Sequence, residues 1–386
     1  MRLGIDASNL RGGGGITHLV QLLDAADPCS HGFQSVVLWA APETLRQVSD
    51  KPWLEKRDEP ALLSSYPRRA LWQARRLEVL ARRERCDLLF VPGGVFATSF
   101  RPIVTMSRNL LPFQVRELLR YGLSLMTVRL LLLRITQTRS FRRASGTIFL
   151  TRYARGTVLS VTGGLRGANT IIPHGIDAKF FAVERPIRTL ADRTVSDPLR
   201  IVYVSIIDVY KHQWHVATAV AALREKGLPV SLQLIGPSYP PALKRLQRVM
   251  RRLDPQGAFI SYEPAVPHQQ LPSLYGGADI AVFASSCENM PNILAESMAA
   301  AMPLVCSNRG CMPEILGDAG RYFDPEDPAT LAAALRELID SPALRERLAC
   351  SARERVRSLS WERCARDTFV FLAEVVARSR THAVVT

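Results

Sequence analysis

Two doubly wound α/β domains joined by a short polar linker are the architecture this sequence predicts, and three observations predict it. Apolar runs of four to six residues recur along the chain, each bounded by turns or charges, as buried strands of parallel sheets are. Longer stretches between them have helical composition, several of them rich in arginine. The alternation runs twice, on either side of the stretch 186–198, which is polar, aperiodic and carries Pro186 and Pro198. A chain of 386 residues has room for two such domains. The boundaries read as 1–185, a linker 186–198, a second domain 199–360, and a terminal segment 361–386. The helical part of that last segment, from Trp361 to about Ala377, is long enough to pack back on the first domain.

In order, the first domain opens with a strand over 2–6 and the glycine run Gly12, Gly13, Gly14 and Gly15. An apolar helix follows from Ile16 to Leu23. Further strands are expected at 35–39, 87–91, 103–106 and 147–150, and in the second domain at 200–204, 230–235, 258–261, 280–284 and 304–307. A glycine run between a strand and a helix lets backbone approach a ligand closely.

A content of 47% hydrophobic and 22% charged residues excludes a disordered or fibrous chain. Uncharged stretches such as 297–308 fall well short of the ~20 apolar residues that cross a bilayer. Met1 leads almost at once into the first strand, with no room for a secretory signal, so a cytoplasmic location is expected. The seven cysteines are scattered and form no C-x-x-C pair, which points to small core hydrophobes rather than a disulfide framework or a zinc site. No Asp-x-Asp pair stands in a suitable loop, so no metal is expected.

The net charge of +15 is concentrated: residues 1–185 hold 27 Lys and Arg against 14 acids, whereas 186–386 hold 23 against 21. Such an excess suits nucleic acid, an anionic membrane or an anionic substrate. The nearly neutral second half and the lack of a nucleic-acid reading module argue against the first of these. The stretch 115–144, opening at Val115 and closing at Ala144, carries Arg116, Arg120, Arg129, Arg134, Arg139, Arg142 and Arg143 against one acid, Glu117. Leucines, Met126, Val128 and Ile135 lie between them. A helix of that kind either lies in a lipid headgroup layer, peripheral on the inner face of the cytoplasmic membrane, or is an internal helix with solvated arginines.

The densest group of chemical residues follows the strand predicted at 280–284: Cys287, Glu288, Asn289, Met290, Pro291, Asn292, Ile293, and then Glu296. This is a strand, a turn and a helix start. Pro291 suits a first helical turn, whose free N–H groups favour phosphate. With Ser297-Met298-Ala299-Ala300-Ala301-Met302-Pro303, Gly310, Met312-Pro313-Glu314-Ile315 and Gly317-Asp318-Ala319-Gly320 in register, the sequence resembles retaining glycosyltransferases of family 4.

That resemblance covers nearly the whole chain and implies the GT-B fold, two Rossmann-like domains facing a central cleft. It implies a metal-independent enzyme, a hexosyltransferase without cofactor, that moves a hexose or deoxyhexose from a nucleotide sugar with retention of configuration. The acceptor hydroxyl would attack from the face the diphosphate leaves, a phosphate oxygen helping to take its proton. By the same resemblance Glu296 binds the ribose hydroxyls and Glu288 contacts the transferred sugar. Lys211 matches the family's lysine on the diphosphate, but Ile206 stands where an arginine is usual and Ser205 where a glycine is usual. The leaving charge then falls more heavily on Lys211, the N–H groups near Asn292, and His212.

In the first domain Gly14 and Gly15 match the family's N-terminal glycine loop. Asn109 stands where many relatives place a polar residue beside the acceptor, with Arg108 facing phosphate or acceptor; the alternative for Asn109 is a local turn before Pro112. His174, in Ile171-Ile172-Pro173-His174-Gly175, is a candidate substrate contact or a structural hydrogen bonder. The run Val209-Tyr210-Lys211-His212-Gln213 is similar to mannosyltransferase relatives, which favours a GDP-mannose-type donor. The basic first half suits a lipid-linked glycan or polysaccharide acceptor, as in O-antigen, lipopolysaccharide, capsule or exopolysaccharide synthesis. Two alternatives stand beside this reading: an inactive relative that binds nucleotide or partner proteins, which Ile206 keeps open, and a sugar-nucleotide 2-epimerase.

Overall fold

The computed structural model describes residues 1–10, 13–63, 65–184, 189 and 193–385, with the side chains of 60, 66 and 382–385 left aside. Gly12 and most of the expected linker, 186–188 and 190–192, lie outside the described residues. The chain forms two units: Met1–Val115 with Leu123–Gly175 and Leu359–Thr386, and Arg116–Gly122 with Ile176–Ser358.

The first unit holds seven strands: β1 (Arg2–Asp6), β2 (Ser35–Ala40), β3 (Leu54–Asp58), β4 (Leu88–Val91), β5 (Ile103–Met106), β6 (Gly146–Phe149) and β7 (Ala168–Ile171). All pair in parallel, in the order β3-β2-β1-β4-β5-β6-β7. The second unit holds β8 (Leu199–Val204), β9 (Val230–Ile235), β10 (Ile260–Glu263), β11 (Ile280–Phe283), β12 (Leu304–Ser307) and β13 (Arg321–Phe323). These too are all parallel, ordered β10-β9-β8-β11-β12-β13. Each sheet is doubly wound, with the order reversing between β1 and β4 in one and between β8 and β11 in the other.

Every interior strand lies within a residue or so of its expected place, and every departure is at a sheet edge. Strands β3, β7 and β13 were not expected, and β10 lies two residues beyond the expected 258–261. Interior strands such as β2 and β4 are buried along almost their whole length, so their side chains are continuously apolar. The edge strand β3 reads Leu-Glu-Lys-Arg-Asp and is only half-buried, so hydropathy does not mark it.

The helix Trp361–Val385 belongs to the first unit, where Phe369, Leu372, Val375 and Val376 are buried. Gly146 in β6 admits it: a Cβ there would lie 2.9 Å from Val375. Cys86, Cys287, Cys306, Cys311 and Cys364 are buried, and burial pushes the Cys86 and Cys364 thiols up to about 12.

The stretch 115–144 is not one helix. A helix Val115–Leu119 ends before Gly122, whose φ is +61°, and a second helix, Leu125–Arg143, starts from Ser124, whose Oγ accepts from Thr127 N. Arg116–Gly122 lies within the second unit, where Arg116 and Arg120 pair with Glu326. Arg134 donates to the Pro112 carbonyl at 3.0 Å and Arg142 to the Thr162 carbonyl at 2.7 Å. Four of the seven arginines are therefore held by protein groups. Of the apolar residues Leu118 and Leu130 are buried, but Leu125 is 89% exposed, Leu132 59%, Val128 54% and Ile135 47%. Among the described residues no helix is long and apolar enough to cross a membrane.

Candidate active site

In a doubly wound sheet ligands bind outside the carboxyl ends of the strands where the order reverses. In the second unit that point lies between β8 and β11, and the loops leaving them are 205–212 and 284–291. The second-unit residues singled out from the sequence fall on these two loops and on the helix that follows.

The first loop is rigidly built. Gln213 Nε2 donates to Ser205 Oγ at 3.1 Å and to the Ile206 carbonyl at 2.8 Å. Gly236 has φ +145° and a Cβ there would meet the Ser205 carbonyl at 2.2 Å, so only glycine fits. Tyr203 Oη donates to the Lys211 carbonyl at 3.0 Å. Lys211 is buried, its Nζ paired with Glu288 Oε1 and lying 5.1 and 5.3 Å from the Tyr210 and Phe283 rings. Lys211 and Glu288, 77 residues apart, thus form one charged pair across the switch point. Ile206 is 37% exposed, and the loop carries no cation besides Lys211.

His212 adopts the left-handed region, φ +54°. Ser286 Oγ donates to the Glu117 carboxylate, so it accepts at 3.0 Å from His212 Nε2, which leaves Nδ1 a buried acceptor with no hydrogen-bond partner among the described residues. Burial above all, then Arg120, pushes His212 down to about 3. It therefore meets the loop as a neutral ring. Tyr121 Oη donates to Asp208 at 3.0 Å, so Glu117 and Tyr121, from a segment distant in sequence, brace both loops.

The helix after β11 is Asn292–Ala299, and Pro291 stands one residue before its first turn rather than in it. Asn289, Met290 and Pro291 are buried, Asn292 and Ile293 half-buried. Glu296 is 7% exposed; its Oε1 accepts from His268 Nε2 at 2.9 Å, and its Oε2 is buried with no hydrogen-bond partner among the described residues. Lys179 Nζ donates to His268 Nδ1 at 3.2 Å, which makes Nε2 the proton-bearing nitrogen aimed at Glu296. Neither His268 nor Lys179 carries a sequence signal, because no spacing relates them to Glu296.

The remaining candidates belong to the first unit. Gly13, with φ +60°, caps the helix Gly14–Asp24. Arg108 donates to the Gly15 carbonyl at 3.3 Å and to that of Gly14, and burial lowers it to about 10. It braces the glycine loop rather than standing open to a phosphate. Asn109 Oδ1 accepts from Leu111 N at 3.0 Å, the local turn considered as its alternative. His174 is 4% exposed, its Nδ1 2.9 Å from that of His18 and its ring 6.1 Å from Trp361, so it is a core residue of this unit rather than a surface one.

Burial holds His18 and His174 well below the ordinary histidine value. A histidine neutral when folded takes up a proton only on unfolding, so its contribution to stability is complete above the unfolded value near 6.5 and declines as pH falls. Each should cost about 1 kcal/mol between pH 7.5 and 5.5, lowering the melting temperature by several degrees. The profile should flatten in His18→Gln/His174→Gln; equal steepness there would show that these rings are not the source.

Residues 191–355 match the model of the family described as glycosyl transferases group 1. The match lies within the second unit and covers less than half of the chain. An O-antigen chain mannosyltransferase B from Escherichia coli is 33% identical over 110 residues, 28% of this chain and 29% of that one. The chain spans about half or less of the length of these curated relatives, a glycogen synthase from Mycobacterium tuberculosis among them. Two solved structures share the fold over their whole length. A sucrose-phosphate synthase from Thermosynechococcus elongatus gives a TM-score of 0.76 at 18% identity, covering 98% of this chain and 100% of that one. An Anabaena protein solved with UDP and glucose gives 0.68 at 16%, covering 99% and 100%.

Proposed function

We propose that the chain is a retaining hexosyltransferase that takes a nucleoside diphosphate sugar in its second unit and an acceptor hydroxyl in its first. The observation that carries the reading is the group Lys211, Glu288 and Glu296 at the β8/β11 switch point, on the segment that matches the glycosyl transferases group 1 model. Glu296 presents a buried carboxylate oxygen without a partner, which suits two vicinal ribose hydroxyls. His268 and Lys179 hold its other oxygen in place. Lys211 turns to the diphosphate, whose growing negative charge it meets as the sugar bond breaks, and Glu288 faces the sugar. A phosphate oxygen of the leaving group accepts the acceptor's proton, and no protein nucleophile takes part. The relative crystallised with UDP and glucose supports a nucleotide sugar, and the mannosyltransferase supports a GDP-mannose-type donor. The latter also supports a lipid-linked or polysaccharide acceptor in surface-glycan synthesis, as does the exposed apolar face of the helix Leu125–Arg143, which suits a membrane surface.

A thermal-shift panel of UDP, GDP, ADP, dTDP and their sugars, on wild type and Glu296→Ala, tests this. One nucleotide should raise the melting temperature, and the shift should vanish in the variant. No shift with any of them would overturn the donor assignment. Ile206 favours a second reading, a nucleotide binder without turnover. Binding without donor hydrolysis or transfer would select it.

A further inference from the structure

In the first unit the glycine loop lies at the carboxyl ends of the strands, and a second concavity lies at their amino ends. It is a cavity of about 560 Å³ in front of β6 and β7, walled by Arg139, Arg142, Arg143 and Arg166 and by the turn that starts at Thr162 and Gly163. Its wall contains no carboxylate, and among the described residues none of the four arginines is in an ion pair. Two helices, Leu125–Arg143 and Arg152–Thr162, end there. Their carboxyl ends explain one arginine: Arg142 donates to the last carbonyl of the second helix at 2.7 Å. They do not explain four. Two helix ends supply roughly one negative charge against four positive ones, which leaves a surplus near +3 in a space the size of a small-molecule site. Thr162 is 1% exposed, and its Oγ1 is buried without a hydrogen-bond partner among the described residues. Arg143 bears on a further cation, Arg101, which is lowered by burial and by that neighbour. The cavity is therefore self-repelling until an anion enters, and a phosphate monoester or diphosphate matches its surplus better than a singly charged diester.

The helix that supplies three of the arginines also indicates where the phosphate comes from. Leu125, Val128, Leu132 and Ile135 recur every three or four residues, all exposed, and the same row continues into Arg139 and Arg142. An apolar row about 15 Å long thus leads into the arginine wall. We propose that this cavity is an anion site, distinct from the residues around Glu288 and Glu296, that takes the phosphate or diphosphate headgroup of a lipid while the Leu125 to Ile135 row enters the acyl boundary. The source of the phosphate rests on the membrane part of the reading above; the anion site itself does not.

Flotation with vesicles of phosphatidylcholine carrying phosphatidic acid, or phosphatidylglycerol matched in surface charge, tests the site, with soluble glycerol phosphate and pyrophosphate titrated in parallel. Wild type should float with phosphatidic acid at least about tenfold better than with phosphatidylglycerol. Arg139→Gln/Arg166→Gln should lose that preference while keeping phosphatidylglycerol binding, and Leu125→Gln/Leu132→Gln should lose both. All of these arginines and leucines are exposed, and both variants should keep the wild-type nucleotide shift, which separates this test from that of the donor site. Equal binding to the two lipids, together with soluble pyrophosphate bound by wild type and lost in the arginine variant, would overturn the lipid source. Unchanged binding of phosphatidic acid and pyrophosphate in the arginine variant would overturn the anion site.

Discussion

Glu288→Gln should lower the rate of sugar transfer by about 10²- to 10³-fold, the range found when a group that stabilises developing charge is removed. Its affinity for the nucleoside diphosphate should not fall. Lys211 is held by Glu288, so diphosphate must draw the lysine away from a carboxylate. A neutral glutamine competes less for that ammonium while still accepting a hydrogen bond from it, and nucleotide affinity should stay level or rise by a fewfold. The two side chains are 8% and 15% exposed, so the substitution leaves a largely buried lysine without its counter-charge and should also lower the melting temperature. Single-turnover transfer, nucleotide titration and a melt separate these effects. Transfer at the wild-type rate would remove Glu288 from the sugar.

Lys211→Ala should raise the dissociation constant for the nucleoside diphosphate by about 10- to 100-fold, the loss of a charge-assisted contact worth ~1.5–3 kcal/mol. Binding of the nucleoside alone should change by less than about threefold, since Glu296 and its partner His268 lie on the other arm of the site. The contrast is large because Ile206 offers the phosphates nothing and His212 is neutral. For the same reason Ile206→Arg, placed on the exposed rim of this loop, should recover part of the loss in the Lys211→Ala background. Equal weakening of nucleoside and nucleoside diphosphate would take Lys211 off the phosphates.

The interior strands, the glycine loop and the glutamate pair were legible because each carries a local pattern. A strand buried on both faces must be apolar throughout, and a helix start that follows a strand shows in a few adjacent residues. Edge strands β3, β7 and β13 carry no such pattern, since a half-covered strand tolerates Glu55, Lys56 and Arg57.

The sequence by itself determined the two doubly wound sheets and the loops at their switch points, because periodicity and burial act over a few residues. Only the tertiary structure decided that Lys211 meets Glu288, that His268 and Lys179 hold Glu296, that Arg116–Gly122 belongs to the second unit, that Arg108 braces the glycine loop, and that Asn109 braces its own turn. It also decided that four arginines share one cavity. These are pairings between residues distant in sequence or choices among partners within one loop. Hydrogen-bond and Coulomb energies act through distance in space, and no spacing along the chain records which groups the folded sheets bring within 3 Å.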